Sequence, residues 1–487
     1  MTNRLYYGDN VDVMRKSIKD ETIDLCYIDP PFNSKRNYNQ IYNNIGGEDR
    51  AQAQAFVDTW EWDDVANQGL QQIMENHEGR FTSQNIDLLK GLRSVLKEGS
   101  LLAYLVSITL RAAQIHRVLK PTGSFYFHCD PTASHYLKLV LDTIFVPTGG
   151  HYVNEIAWCY ASGGVSKRYF AKKHDVIFFY TKSDKYCFNT QYRPYTEGTL
   201  QRGLTKVKTD MNPDYELRAE GAVMSDWWPD ITPLLSPTMK ERMGYPTQKP
   251  ETLLERIIKA SSNEDAVVLD AYCGCGTTIA VAQRLNRQWI GIDITYQSIS
   301  LVLRRLEGTF GKEVVDAIAI DGIPRDMKSA VALAHKKDDR VRKEFEKWAL
   351  LTYTNNRGIV NDKKGADQGI DGVAYFQTGK AENAKIIFQI KSGGVKRGDI
   401  ATLRGDMSRE KAELAILITL EPPTGPMIRE AKGAGQYIHE TMGRSYDRIA
   451  IMTVEEVLAG TRLNIPMSLE VLKAAQRTAD DKQQQLF

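Results

Sequence analysis

A short apolar run from Ile23 to Ile28 ends in Asp29-Pro30-Pro31-Phe32. Two consecutive prolines stop any regular element, remove backbone donors and push the residue before them toward extended geometry. Asp29 is therefore expected at a strand end, its carboxylate presented by a stiff turn with an aromatic ring three residues on. Such a rigid acidic corner is rarely built for packing alone. A helix or turn cap is the plain alternative for such an aspartate.

A second chemical stretch is "VVLDAYCGCGTT", in which Gly274 and Gly276 stand between an apolar run and a helical one. Glycines there let backbone approach a ligand at a helix N-terminus. The third glycine of the dinucleotide fingerprint is missing, so a pyrophosphate is not the obvious ligand. Asp293, at the end of the next strand "QWIGIDI", is suited to ribose hydroxyls. A nucleoside cofactor without pyrophosphate fits, with S-adenosylmethionine the leading candidate. A tight strand-to-helix turn that binds nothing remains the competing reading of the glycines.

The third stretch is "GADQGIDG" followed by "IIFQIKSG". Asp371 flanks one strand, while Gln389 and Lys391 share a face of the next, because strand side chains alternate. A carboxylate, a second oxygen donor and a lysine on one sheet face can hold a hard divalent cation such as Mg²⁺ and steady a water. A salt-bridged Asp371–Lys391 pair in a domain that only grips DNA is the alternative.

Strands alternating with helices must position these groups, which implies an α/β fold with parallel pairing. Strands are expected at "LYYGD", "IDLCYI", "SFYFHCD", "NEIAWCY", "DVIFFYTK", "AVVLD" and "QWIGIDI", and a long helix over "LLAYLVSITLRAAQIHRVLK". The stretch from Ser34 to about Asn85 is expected as loops and short helices. The first unit should span residues 1–328, a charged linker 329–340, a second and smaller α/β unit 341–466, and a polar tail 467–487.

At 487 residues the chain exceeds one ordinary core. Hydrophobic residues make up 42% and charged residues 25%, as in a soluble globular protein. The net charge is +2, so contact with nucleic acid needs a local basic surface. One exists between Ser166 and Lys208, where Lys167, Arg168, Lys172, Lys173, Lys182, Lys185, Arg193, Arg202, Lys206 and Lys208 face only Asp175, Asp184 and Glu197. Tyrosines are interleaved, a composition suited to phosphates and bases. No run is long enough to span a bilayer, the cysteines form no disulfide framework, and the polar start lacks a signal core, so a cytoplasmic protein is expected. His128, Cys129 and His135 fit a strand-end core histidine better than a zinc site.

The order "IDPPFNSK", "YPTQKPETLLERII", "LDAYCGCGTT", "GIDI" resembles the β-class amino DNA methyltransferases, in which the catalytic motif precedes the cofactor motif. The resemblance runs from about Leu5 to Arg325. It implies a permuted Rossmann-like sheet in which the strands bearing Asp29 and Asp270 are neighbours at the switch point. It also implies that Asp29, Pro30, Pro31 and Phe32 act on a flipped base in double-stranded DNA. Asp9, Lys249, Asp270, Gly274, Gly276, Thr277 and Asp293 would surround S-adenosylmethionine, Asp9 at the adenine and Lys249 at the amino-acid end. An aspartate opening the motif resembles adenine-modifying members, and a cytosine target stays open. Residues 160–245 would form the target-recognition region.

The second unit resembles the Mrr-like restriction endonucleases of the PD-(D/E)XK fold, which adds Glu346 in "FEKWALL" to Asp371 and Gln389 as Mg²⁺ ligands. Gln389 stands where many such nucleases carry Glu or Asp. Together the two resemblances imply a modification enzyme fused to a nuclease, with a methyltransferase carrying a non-cleaving module as the alternative. A homodimer and separate restriction or defence subunits stay open as partners.

Overall fold

The computed structural model describes residues 2–32, 36–40, 53–58, 60–160, 165–204, 217–234, 241, 243, 245, 247–335, 339–354, 358–361, 369–378, 383–439 and 443–466. The tail 467–487 and the basic residues Lys206 and Lys208 lie outside them, as does the side chain of Arg202. The chain divides into two compact units: 1–36, 57–294 and 298–321 form the first, while 37–56, 295–297 and 322–487 form the second.

The first unit is built on nine strands: β1 (Arg4–Tyr7), β2 (Ile23–Ile28), β3 (Leu119–Cys129), β4 (His151–Cys159), β5 (His174–Thr181), β6 (Trp227–Trp228), β7 (Val267–Asp270), β8 (Gln288–Asp293) and β9 (Ala319–Asp321). Their order in the sheet is β6-β4-β5-β3-β2-β7-β8-β1-β9. Only β5 runs against its neighbours; the other pairs are parallel. The apolar "IDLCYI" and "VVLD" runs are nearly all buried, as parallel strands covered on both faces must be. Register sets Val268 beside Leu25 and Asp270 beside Tyr27. The chain leaves β2 toward β3 on one side and β7 toward β8 on the other, so their shared carboxyl end is the switch point at which ligands bind open α/β sheets. The expected adjacency of the Asp29 and Asp270 strands is the observed one.

Helix α1 (Asn10–Ser17) follows β1, and the long apolar α2 (Ser100–Val118) is buried on most of its surface. Near the end of α2, Arg117 donates to the carbonyls of Met14 (2.6 Å) and Ile18 (3.0 Å), satisfying the open end of α1. Helices α3 (Glu251–Ser261), α4 (Thr277–Arg284) and α5 (Tyr296–Phe310) follow the basic segment. Between 34 and 85, where loops and short helices were expected, the structure adds a ladder: Arg36–Gln40 and Ala53–Asp58 pair as a two-stranded sheet, ahead of helices of 12 and 14 residues at Asp64–Glu75 and Ser83–Leu96. Polar side chains obscured the ladder, because a two-stranded ribbon needs no apolar alternation.

The main sheet of the second unit has five strands, β10 (Ile359–Val360), β11 (Gly372–Gln377), β12 (Asn383–Lys391), β13 (Leu414–Thr419) and β14 (Ile449–Thr453), in chain order. The first three are antiparallel and the last three parallel. Helices α6 (Met327–Ala334) and α7 (Asp339–Tyr353) pack on the face formed by Ile386, Phe388 and Ile390. Helices α8 (Arg397–Arg409) and α9 (Gly425–Lys432) pack on the other, with Ile387, Ala415 and Leu417. Residues 329–334 of the expected linker thus belong to α6, whose Ala330 and Ala334 are buried in this unit. Among the described residues no helix is long and apolar enough to cross a membrane.

Candidate active site

The strand β2 delivers Asp29 to the carboxyl edge of the sheet. Its Oδ2 accepts from Lys249 Nζ at 2.5 Å, with the two side chains only 16% and 12% exposed. Its Oδ1 is buried and has no hydrogen-bond partner among the described residues. An orphaned buried acceptor costs about 1–3 kcal/mol, so this oxygen stands ready for a donor. Phe32 lies against the same lysine, with Nζ 5.1 Å from the ring centroid. Asp29, Phe32 and Lys249 therefore meet, although Lys249 is 220 residues from Asp29.

Beneath Phe32 lies a chain of polar groups that no motif announced. The fully buried ring of His128 is 5.8 Å from the Phe32 ring. Its Nδ1 lies 2.8 Å from the Tyr27 hydroxyl and its Nε2 3.1 Å from Asp175 Oδ2. Tyr160 donates to the other Asp175 oxygen at 3.2 Å. Asp175 sits low in its range: burial raises it, but the bonds and charge of His128 win. The aspartate that looked like a counterweight to the basic segment is a buried anchor. Among the described residues no group of three or more His, Cys, Asp or Glu could hold a metal ion.

At the end of β7, Asp270 is buried, and burial lifts it to about 7. The charges of Asp29 and Asp293 add to the rise, and bonds from the Thr278 hydroxyl and the Tyr272 amide oppose it. Three carboxylates thus crowd the carboxyl ends of β2, β7 and β8. The glycine turn is shaped by its own chain: Gly274 (φ +49°) donates its amide to Asp293 Oδ2 at 2.9 Å, and a Cβ on it would lie 3.2 Å from Tyr245. Gly276 (φ +77°) precedes α4, and a Cβ there would lie 2.8 Å from Val302 of α5. Both glycines have a packing reason. Thr277 accepts from the buried Arg305 at 2.9 Å. Asp9 caps α1 through Oδ1 and accepts from Arg111 through Oδ2 at 2.8 Å, so its plainest job is local. Arg111, Tyr245 and Arg305 were invisible as site neighbours because each arrives from a distant helix or loop.

In the second unit, Asp371 Oδ2 accepts from the amide of Ile390 at 2.6 Å, which holds the aspartate against β12. Gln389 is 3% exposed; its Nε2 donates to the Gly369 carbonyl at 2.7 Å, and its Oε1 has no partner among the described residues. Asp406 on α8 leaves a second buried oxygen without a partner, directed at the same glycine. Lys391 is half-buried and shares the Gln389 face by alternation. Asp371 and Gln389 are thus held beside each other, and Lys391 is placed on the Gln389 face by alternation alone. Glu346 is not visibly among them: it is half-buried on α7, next to Phe345, which packs with Phe388 and Ile390 on the opposite face of the sheet.

The N6/N4 DNA methylase family matches residues 23–304, more than half of the chain, and the chain belongs to it. A restriction endonuclease family of the Mrr type matches residues 341–439. The type II methyltransferase M.HpaI of Haemophilus parainfluenzae is 30% identical over 250 residues, covering 50% of this chain and 71% of that protein. The DNA adenine methyltransferase YhdJ of Escherichia coli is 27% identical over 306 residues, covering 62% and 82%. Among solved structures, the cytosine-N4-specific PvuII DNA methyltransferase is 16% identical and covers 66% of this chain and 95% of its own, with a TM-score of 0.40.

Proposed function

We propose that the first unit transfers a methyl group from S-adenosylmethionine to the exocyclic amino group of adenine in double-stranded DNA. The observation that carries this reading is Asp29, fixed by Lys249 through one oxygen and open at the other. A conjugated amine is a poor nucleophile. Asp29 Oδ1 would accept one amino proton and the Pro30 carbonyl the other, which draws the lone pair out of the ring. Phe32 would stack on the flipped base, whose extrusion costs a few kcal/mol. The prolines keep both acceptors in place while the amino nitrogen is aligned at near-attack distance.

When bound, S-adenosylmethionine supplies an electrophilic methyl group on a sulfonium. The residues present fit it: beside the buried Asp270 and the neighbouring Asp29 and Asp293, a sulfonium and an α-ammonium would be favourable, whereas a pyrophosphate would add like charge. Adenine is favoured over cytosine by the aspartate that opens the motif.

The second unit is read as a Mg²⁺-dependent endonuclease. Asp371 and Gln389 offer oxygen donors of the kind a hard cation takes, and the unpartnered Gln389 Oε1 is the observation that favours the fit. When bound, Mg²⁺ would stabilise charge on a scissile phosphate, and Lys391 would orient the attacking water. A 1–328 methyltransferase with a target-recognition region at 160–245 and a 341–466 nuclease is the corresponding division of labour.

Methyl-labelled S-adenosylmethionine and plasmid DNA, followed by digestion to nucleosides, test the first activity. N6-methyladenine is expected; N4-methylcytosine would move the target to cytosine, and no labelled nucleoside would overturn the reading. Long-read mapping of the modified positions gives the recognition sequence. Incubation of unmodified plasmid with Mg²⁺ tests the second activity.

A further inference from the structure

We propose that Phe170 is a wedge that enters the base stack beside the target nucleotide and holds the gap open while the base is out. The proposal rests on the DNA-methylating reading above and names how that site obtains its substrate. Phe170 is 101% exposed and its neighbour Tyr169 is 69% exposed, at the tip of the loop joining β4 to β5. A phenylalanine fully in water has no folding reason to be there, and its burial elsewhere would be favourable.

The surroundings say what would bury it. From Val165 to His174 the chain reads VSKRYFAKKH, with four cations and no acid. Lys167, Arg168 and Lys172 are exposed on either side of the ring. An apolar ring framed by cations matches a duplex, in which phosphates flank a stack of flat apolar faces. The tip is also a built turn: Ser166 Oγ accepts from the amides of Arg168 (3.1 Å) and Tyr169 (3.3 Å).

The base of the loop leads to the reacting corner. Tyr160 donates its amide to the Lys173 carbonyl at 2.9 Å, which closes the hairpin. The Tyr160 hydroxyl and the buried His128 both bond Asp175, and the His128 ring lies 5.8 Å from Phe32. One hydrogen-bonded strut therefore runs from the floor under Phe32 to the root of the loop that carries Phe170.

The test compares methylation rates on two short duplexes containing the mapped recognition sequence. In one the target base is paired, and in the other it is mismatched, which lowers the cost of flipping. Phe170→Ala should lose about tenfold or more on the paired duplex and recover to within about threefold of wild type on the mismatched one. Phe170→Trp should keep the paired rate. Lys172→Ala should weaken both duplexes alike and reduce the salt dependence of binding. Equal loss of Phe170→Ala on both duplexes, or no loss on either, overturns the wedge while leaving the catalytic reading intact. Wild type inactive on both duplexes overturns the DNA-methylating reading and the wedge with it. Unchanged circular dichroism and melting of Phe170→Ala is expected for so exposed a side chain.

Discussion

Two acidic corners stand out among the described residues, and each leaves a buried oxygen without a partner. At Asp29 the open oxygen is a carboxylate's, and a lysine from 220 residues away holds its twin. In the second unit the aspartate is tied to the backbone of β12, and the open oxygen is the amide of Gln389. The first arrangement keeps a charged acceptor facing a proton. The second keeps a neutral donor atom facing whatever cation the site takes. The surroundings differ as well: burial, with the charges of Asp29 and Asp293, raises Asp270, whereas Asp371 is steadied by an amide. A charged acceptor suits proton acceptance, while a steadied carboxylate beside a neutral oxygen suits a metal.

The largest expected break in this comparison is Asp29→Ala. Methyl incorporation should fall about a thousandfold, the range of a lost proton acceptor, with any DNA cleavage unchanged. Retained incorporation would remove Asp29 from the chemistry. Next is Asp270→Asn, read by thermal melting across pH. A carboxyl near 7 when folded, against 3.8 ordinarily, binds its proton more tightly in the folded state. Its stabilising share is full below pH 4 and is lost as pH rises through about 7. The variant lacks that loss, so its advantage over wild type should grow across this window toward roughly 4 kcal/mol and then level off. A gap that does not change with pH would contradict a carboxyl raised by burial.

Lys391→Ala should lower Mg²⁺-dependent cleavage about a hundredfold without touching methyl transfer, measured on supercoiled plasmid. Unaltered cutting would place the nuclease chemistry elsewhere. Lys249→Met leaves Asp29 nearly buried and unpaired, and should lower kcat/KM for methylation about tenfold and depress melting. The smallest effect should come from Gln389→Glu, which makes the second corner resemble the first in charge. It should raise Mg²⁺ affinity a few-fold by adding a carboxylate ligand. Calorimetric titration with the metal alone would show no change if Gln389 does not face the ion.

Much of the first corner was legible in the sequence because it is local. The prolines after Asp29 and the glycine turn after β7 announce strand ends, and the β2–β7 adjacency follows from the motif order. What joins them is not local. Asp175 reads as one acid among many lysines, and only the β3–β5 pairing of Ile177 with His128 brings it under Phe32. Asp9 caps the start of α1, while Arg111 comes from the middle of α2. Gly274 and Gly276 read as a ligand cradle, yet their space is taken by Tyr245 and Val302. Helix α6, MKSAVALA, was not legible as part of the second unit, because it is too short for its small buried alanines to register as a core face.

Strand β1 has a consequence for how the protein is made. It lies between β8 and β9, with Arg4 beside Ile290 and Ala319. A strand made first must wait for partners synthesised nearly three hundred residues later, so the first unit's sheet closes late and over long loops. That closure nonetheless needs nothing beyond Asp321, and the five-stranded sheet of the second unit begins at Ile359. At about 5–20 residues per second, every nascent chain has the means to complete its methylase sheet seconds before its nuclease-like sheet has emerged. The order of the genes' reading frame thereby sets an order of maturation, with the modifying half first.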